Sequence, residues 1–313
     1  MVKRCLIVGV LALASHVCSV VMSAQGDLEV LGAQGNVFVL AGPDGNTTVQ
    51  IGTEGPLLVD TQPAAMSAKV LEAVRALTPR PIRHIVLTSG GDQQAGGAAN
   101  LSKAGRYVRV IDSIDPRGLD LRASIIAHVN VLNRMTSANV ASESWPTDTY
   151  FTSEWSLFSN GEAVQLFRVP AAHSDGDTIV FFRRSDVVST GAIFDATGYP
   201  QFDPHQGGGI DGIIEGLNRV LDIAVAGESQ EGGTVVVPGR GRLCDETDVA
   251  NYRDMVTIVR DRVRDVVAKG MSLEQVQRAR PTSDYDGLYE VSASGWTSDM
   301  FVEAIFRDVS RAR

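Results

Sequence analysis

The chain has 313 residues, of which 44% are hydrophobic and 21% charged, an ordinary globular composition with ample apolar material for a core. Its formal net charge of −9 argues against a nucleic-acid partner, because nucleic-acid-binding proteins present basic surfaces. Length alone allows one or two domains.

The first predicted element is a signal peptide over residues 1–24. A basic start, MVKR, precedes the apolar run CLIVGVLALASHVCSVVM and a small-residue cleavage site near Ala24. The alternative is a retained membrane anchor, but the run is short and interrupted for a permanent span, and no later segment is apolar enough to cross a bilayer. Loss of Lys3 and Arg4 changes the net charge to −11. We expect an exported protein, periplasmic or secreted, with no membrane span after signal removal.

One cysteine remains in the mature chain, Cys244. A single cysteine forms no internal disulfide, so the exported fold must rely on its core. No histidine stands beside Cys244 in the sequence, and we interpret it as a small buried or half-buried residue rather than a nucleophile.

The first half begins with three short strands, NVFVLAG, NTTVQIG and PLLVD, separated by Gly and Asn as in hairpins. A helix, AMSAKVLEAVRALT, ends at Pro79. The strand HIVLT, the short helix AGGAANLSKAG and the strand YVRVID follow. Within residues 116–139, LDLRASIIAHVNVLNRM predicts an outer-layer helix on which His128 is partly exposed. Its apolar stripe consists of Ile125, Ile126, Val129 and Leu132.

The second half again predicts strands followed by helices. AVQLFRVPAAHSDGDTIVFF predicts strand, loop and strand; DVVSTGAIF and GTVVVPGRGR each predict a strand that ends in a loop. GIDGIIEGLNRVLDIAV is a predicted helix. A long amphipathic helix follows, capped by Asp245 or Thr247, with Gly270 past its end. Shorter helices lie at SLEQVQRAR and TSDMFVEAIFRDVSRAR. No linker separates the halves, which indicates one domain over residues 28–313 with two packed sheets and outer helices.

Four loops follow strands in order: TSGGDQQAGG, PAAHSDGDT, STGAIF and VPGRGR. In that order and spacing the chain resembles the metallo-beta-lactamase-fold hydrolases over about residues 28–313. With SLEQVQRARPTSDYD and WTSDMFVEAIF near its end, it looks closest to their exported quinoprotein relay system zinc metallohydrolase branch. The resemblance implies an α/β (α+β) fold, a four-layer αββα sandwich with one or two zinc ions at one edge.

The resemblance also assigns seven metal-ligand positions to these loops, and six are substituted. The family patterns are T-H-x-H-x-D-H-x-G-G in the first loop, a histidine in the second, TGD in the third and PGHG in the fourth. Only His173 keeps a ligand type. The seven positions carry Ser89, Gly91, Gln93, Gln94, His173, Ala192 and Arg240.

These substitutions predict no metal and no zinc cofactor. A catalytic zinc ion needs about three imidazole, thiolate or carboxylate ligands, and Arg240 adds a fixed cation instead. Both ligand carboxylates are replaced, so no unpaired acid remains in the vacated site. The best rearranged metal site would combine Asp92, His173 and His205. His84 begins a strand and points away from the site.

Other residues of the pocket have competing interpretations. Arg240 could bind an anionic group there, but an ion pair with Asp92 or Asp195, or a solvent-facing side chain, is the preferred interpretation. The candidate ligand-binding residues are Asp92, His173, His205 and Arg240. Asp60 and Asp177 are interpreted as shaping loops. The aromatic residues of TSANVASESWPTDTYFTSEW (Trp145, Tyr150 and Trp155) either cover the pocket mouth or, as we prefer, pack that segment onto the core.

The lost ligands favour a non-hydrolytic pseudoenzyme that binds a small molecule or an exported protein partner. The alternative is a hydrolase of the same superfamily, with a rearranged metal site or a metal-independent site at His173. A structural subunit of an exported complex is a third possibility. The family acts on beta-lactams, thioesters, lactones and sulfur compounds, so the resemblance names no substrate.

Overall fold

The computed structural model of the protein describes residues 28–107, 121–289 and 295–311. The predicted signal peptide and most of the predicted strand YVRVID lie outside these residues. Within them, twelve strands form two sheets: β1 Glu29–Gln34, β2 Val37–Ala41, β3 Asn46–Gln50, β4 Leu57–Val59, β5 His84–Val86, β6 Ser124–His128, β7 Asp148–Tyr150, β8 Glu154–Ser159, β9 Glu162–Val169, β10 Asp177–Phe182, β11 Val187–Ser189 and β12 Val235–Val237.

Nine α-helices occur among the described residues. They are α1 Ser67–Leu77, α2 Asp92–Ala95, α3 Ala98–Lys103, α4 Val129–Ser137, α5 Ile210–Ile223, α6 Glu246–Ala268, α7 Leu273–Arg278, α8 Asp286–Tyr289 and α9 Ser298–Arg311. Over the described ranges, none of these helices has both the length and the apolarity of a membrane span.

The first sheet contains β1 to β7 in chain order, and the second has the order β12-β11-β10-β9-β8. Strands β1 to β4 pair antiparallel, whereas β4 to β7 pair parallel. In the second sheet only β11 and β12 are parallel. Parallel neighbours end at the same edge of a sheet, so the loops after β4, β5 and β6 lie side by side there.

Three apolar cores separate four layers, because successive side chains of a strand point to opposite faces. In β4, Leu57 and Val59 face the core between the sheets, while Leu58 faces the core under α1. A third core joins the outer face of the second sheet to α5, α6 and α9. This is the α/β (α+β), four-layer αββα sandwich that the resemblance implies.

The helix predicted through His128 is wrong at its start. Residues 124–128 form β6, and only the part from Val129 is helical, as α4. Ile125 and Ile126 lie in different cores, on opposite faces of a strand that is buried between β5 and β7. A strand buried on both faces is continuously apolar, so its residues matched the helical spacing by accident.

His128 is therefore not a partly exposed helix residue. Its side chain is 2% exposed and caps α4, with Nδ1 accepting a hydrogen bond from the backbone N–H of Asn130 at 3.2 Å. Burial lowers the pKa of His128 from its usual value, so the ring is neutral at the helix start.

The sequence predictions for the start and end of α6 and for Cys244 are confirmed. Asp245, and not Thr247, caps α6 in a reciprocal capping box with Asp248. Cys244 is buried and unpaired. Gly270 follows the C-cap residue of α6, as expected.

The aromatic insertion contributes strands that the sequence did not indicate, β7 and the start of β8. Tyr150 is buried at 3% exposure, and its ring stacks on that of Trp155 at 6.0 Å. Trp145 donates its indole N–H to the carbonyl of Val140 at 2.8 Å. These side chains pack the segment onto the core, which is the preferred of the two interpretations.

Candidate functional site

The first loop follows β5 and is fixed by a buried carboxylate on the loop after β4. Asp60 accepts two hydrogen bonds from Thr88, one from its backbone N–H at 2.8 Å and one from its hydroxyl at 2.7 Å. Burial raises the pKa of Asp60 to about 7, against the effect of these two bonds. Asp60 thus shapes the loop and takes no place in the cavity.

The substituted positions of this loop bond to one another. The hydroxyl of Ser89 donates to Gln94 Oε1 at 3.2 Å, and Gln94 is 5% exposed. Its backbone carbonyl accepts from the N–H of Thr61 at 2.9 Å, which joins this loop to the preceding one. Gln94 therefore takes over as a neutral, structural residue at a position where the resemblance implies a histidine ligand.

The second loop holds the one remaining ligand type. A backbone carbonyl oxygen can only accept a hydrogen bond, so the N–H at His173 Nδ1 is the donor to the carbonyl of Gln201, at 2.8 Å. Nε2 is the ring nitrogen that this bond does not engage. Nearby, Asp177 accepts from the N–H and hydroxyl of Ser174 at 2.7 and 2.8 Å, a bond pair that holds the turn.

The third and fourth loops approach each other through glycine. Gly191 has φ of +53°, and a Cβ there would collide with the Thr88 hydroxyl. A Cβ at Gly239 would collide with the carbonyl of Gly191. Asn46 secures the fourth loop from β3, because its side-chain amide donates to the carbonyls of Pro238 and Gly241, each at 2.9 Å.

Arg240 is held beside Asp195 by the backbone. The two residues form a parallel bridge, and the N–H of Ala196 donates to the carbonyl of Arg240 at 3.0 Å. The guanidinium is buried, with the whole residue 8% exposed. Its Nη1 lies 4.0 Å from Asp195 Oδ2, so the preferred ion pair is present but longer than a hydrogen bond. Nε is buried without a partner among the described residues.

These loops enclose a cavity of about 200 Å³. Of the seven substituted or remaining ligand positions, six line it, and the seventh, Ser89, bonds to one of the six. The other lining residues include Asp92, Phe194, Asp195 and Gln201. The six are Gly91, Gln93, Gln94, His173, Ala192 and Arg240.

His205 does not join the other candidate binding residues. It lies on an exposed 3-10 turn, Pro204–Gln206, and is not among the lining residues of the cavity. Asp92 lines the cavity but is itself exposed. Among the residues that the structure describes, no three His, Cys, Asp or Glu side chains are grouped as a metal site would require.

The donor chemistry of the cavity does not fit the zinc ions that the fold family implies. The cavity is lined by one imidazole, His173, and by the carboxylates of Asp92 and Asp195, but among the described residues these do not form a group that could hold a metal ion. Amides, a methyl group and a cation occupy other ligand positions. A catalytic zinc ion takes about three nitrogen, sulfur or carboxylate ligands, and a buried guanidinium repels a divalent cation.

Sequence reasoning missed Gln201 and Asn46. Gln201 orients His173 from 28 positions along the chain, and Asn46 reaches Pro238 across 192 positions. Neither residue belongs to a local motif. The one available signal was that Asn46 opens the predicted strand NTTVQIG, because an amide that becomes buried in a sheet must find hydrogen-bond partners.

No protein-family model matches the chain, and no curated protein matches it in sequence. Solved structures do match. A metallo-beta-lactamase from Pontibacter korlensis superposes with a TM-score of 0.55 at 13% identity, over 74% of this chain and 99% of that one. The DIM-1 metallo-beta-lactamase gives a TM-score of 0.54 at 16% identity, over 74% and 97%.

The inverting sec-alkylsulfatase Pisa1 from Pseudomonas sp. gives a TM-score of 0.66 at 12% identity. The match covers 90% of this chain but 50% of that protein, so the chain spans about half its length. Identities this low carry the fold alone, and the resemblance to the quinoprotein relay branch stays a prediction. The four-layer sandwich, the four loops at one edge and these superpositions together show that the protein has the metallo-beta-lactamase fold.

Proposed function

We propose that this protein is a non-hydrolytic member of its fold, which binds a small molecule or an exported protein partner in the cavity at the sheet edge. The observation that carries the proposal is the lining of that cavity. Six ligand positions meet there, and of these only His173 offers a group that zinc prefers. The loops nevertheless form a defined cavity, which is what binding without metal chemistry requires.

The charge of the cavity supports the same function. Gln93 and Ala192 stand where the resemblance implies carboxylate ligands, so the site lacks the acids that would neutralise a dinuclear zinc centre. A metal-free site that kept both acids would contain buried, unpaired charges, which are costly. Neutral residues at both positions avoid this cost. Of the acids that remain in the lining, Asp195 lies beside the guanidinium of Arg240 and Asp92 is exposed.

Elemental mass spectrometry of the purified, untagged protein tests the proposal. The protein is incubated with zinc, manganese and iron and then desalted. We expect well below one metal per chain. His173→Ala removes the remaining ligand type, and His205→Ala, at an exposed residue outside the cavity, is the matched control. One or more tightly held metals that are lost in His173→Ala but kept in His205→Ala would overturn the proposal and favour a hydrolase.

Export belongs to the same proposal and rests on the apolar run of residues 1–24 with its basic start. Mass spectrometry of protein recovered from the periplasm or the medium should find a mature chain that begins near Gln25. Protein that stays in the membrane with residues 1–24 attached would instead support the anchor.

A further inference from the structure

We infer that the cavity binds the carboxylate of a small organic monoanion through the guanidinium of Arg240. The inference deepens the proposed function and rests on it, since it names the ligand class of the same cavity. It starts from the state of Arg240, which lies in the wall of the cavity and is 8% exposed.

The five N–H donors of a buried guanidinium normally form hydrogen bonds to acceptors. Here Nε is buried with no partner among the described residues. The nearest carboxylate, Asp195, lies 4.0 Å from Nη1, beyond hydrogen-bond distance. A donor left in this state is costly. Because Nε itself is buried, an acceptor in the cavity would pair with the Nη groups of Arg240, a residue of the cavity lining.

Asp195 pairs with Arg240 only at ion-pair distance, and its other oxygen is already engaged. Oδ1 accepts from the N–H of Thr197 at 2.8 Å and from its hydroxyl at 2.6 Å. These bonds hold the carboxylate toward its own turn. The guanidinium therefore keeps directed donors for a planar, two-oxygen acceptor, the geometry that arginine matches best.

The remaining charges of the cavity disfavour a dianion. Asp92 and Asp195 both line it along with Arg240. Two carboxylates near one guanidinium repel a dianion more strongly than a monoanion, which favours a carboxylate over phosphate or sulfate. The volume of about 200 Å³ is below the roughly 300–1,000 Å³ of pockets that hold drug-sized ligands, so the ligand or its bound part is small.

Isothermal titration calorimetry of chelator-treated protein at low ionic strength tests the inference. The probes are acetate, butyrate and benzoate, each paired with its neutral amide, together with inorganic phosphate and sulfate. We expect saturable binding of at least one carboxylate, with its amide and both dianions at least about tenfold weaker. In protein with ¹⁵N-labelled arginine, the Arg240 Nε–H signal should shift on titration.

Four variants separate binding from folding. Arg240→Met keeps the bulk of the side chain without its charge, and should weaken carboxylate binding about tenfold or more. Arg240→Lys keeps the positive charge but loses the planar, two-donor geometry of the guanidinium, and should lose part of the affinity. Asp195→Asn removes the competing acid and should tighten binding, a gain that misfolding cannot mimic. Arg278→Met, at a side chain 69% exposed on α7, is the matched control and should change nothing.

The outcomes distinguish this inference from the proposed function. Carboxylate binding that survives chelation and is lost in Arg240→Met supports the inference. Metal-free protein that binds no probe, or binds amides as well as carboxylates, overturns it and leaves the pseudoenzyme proposal standing. Binding that appears only after a metal is added overturns both.

Discussion

Replacing Arg240 with methionine should make the protein more stable. The guanidinium is 8% exposed, and an unsatisfied buried donor such as its Nε costs about 1–3 kcal/mol. Methionine keeps most of the apolar stem and needs no acceptor. The lost attraction to Asp195 at 4.0 Å offsets part of the gain, since Asp195 is 18% exposed on its side chain and water can solvate it.

The net gain expected is about 1 kcal/mol, or about 2 °C in Tm for a domain of this size. Urea denaturation followed by circular dichroism measures it, with an unchanged m-value as the sign that the unfolding transition is the same. Arg240→Met, Asp195→Asn and the double variant form a double-mutant cycle, which measures the interaction energy between the two side chains. Its interaction energy should be below about 1 kcal/mol.

A loss of about 2 kcal/mol or more in Arg240→Met, with an interaction energy of similar size, would refute this reasoning. Arg240 would then be a structural partner of Asp195, and its unpaired Nε would not indicate a ligand. A stability gain together with a loss of anion binding would show that Arg240 is kept at a cost in stability, as binding residues often are.

Three further predictions concern residues around the cavity and beyond it. Burial raises the pKa of Asp60 to about 7, so between pH 4 and 7 the native state binds a proton more readily than the unfolded chain, and this group's contribution to stability falls as pH rises through that window. The free energy of unfolding of Asp60→Asn minus that of the wild type should therefore rise by up to about 4 kcal/mol as the pH is raised from 4 to 8, measured in parallel urea titrations. A difference that does not change with pH would contradict the raised pKa. Burial raises the pKa of the Cys244 thiol to about 12, so a thiol reagent at pH 8 should label it only as fast as the protein unfolds, and rapid labelling of native protein would show that the thiol is accessible. Gly191→Ala should lower the free energy of unfolding by about 2–4 kcal/mol, because φ is +53° and the new Cβ meets the Thr88 hydroxyl. Gly32→Ala, with nothing within 4 Å of its Cβ, is the control. Equal stability of the two variants would contradict this packing.

The sequence could predict which loops form the site because they are local motifs that carry the family resemblance. The first, third and fourth loops follow the short strands β5, β11 and β12, which pair parallel with a neighbour, and parallel strands bring their ends to one sheet edge. The second loop follows the longer, antiparallel strand β9, so this argument does not place it. Six of the seven assigned positions do line one cavity, though the residues between them gave no sign of which side chains point inward. His205, whose loop also looked able to reach the cavity, remains outside it.

The sequence could not predict features that depend on distant contacts. Residues 124–128 matched a helix, and only their burial between β5 and β7 shows that they form a strand. In β8, side chains alternate between exposed and half-buried up to the buried Ser159, so the strand lacks a strong apolar pattern. The carbonyl of Gln201 that orients His173 comes from a loop with no motif of its own.

Residues outside the metal-ligand positions hold three of the four loops around the cavity. The first loop is fixed by Asp60 through Thr88, the second by Asp177 through Ser174, and the fourth by the amide of Asn46.

None of these five residues occupies a metal-ligand position, and all are buried. In a site whose loops were held mainly by metal, loss of the ligands would free the loops and close or disorder the cavity. Here hydrogen bonds from residues outside the metal-ligand positions hold the first, second and fourth loops directly. The cavity can therefore persist as a binding site after its ligands are lost, and a guanidinium can take the position of a histidine without disturbing the loops that surround it.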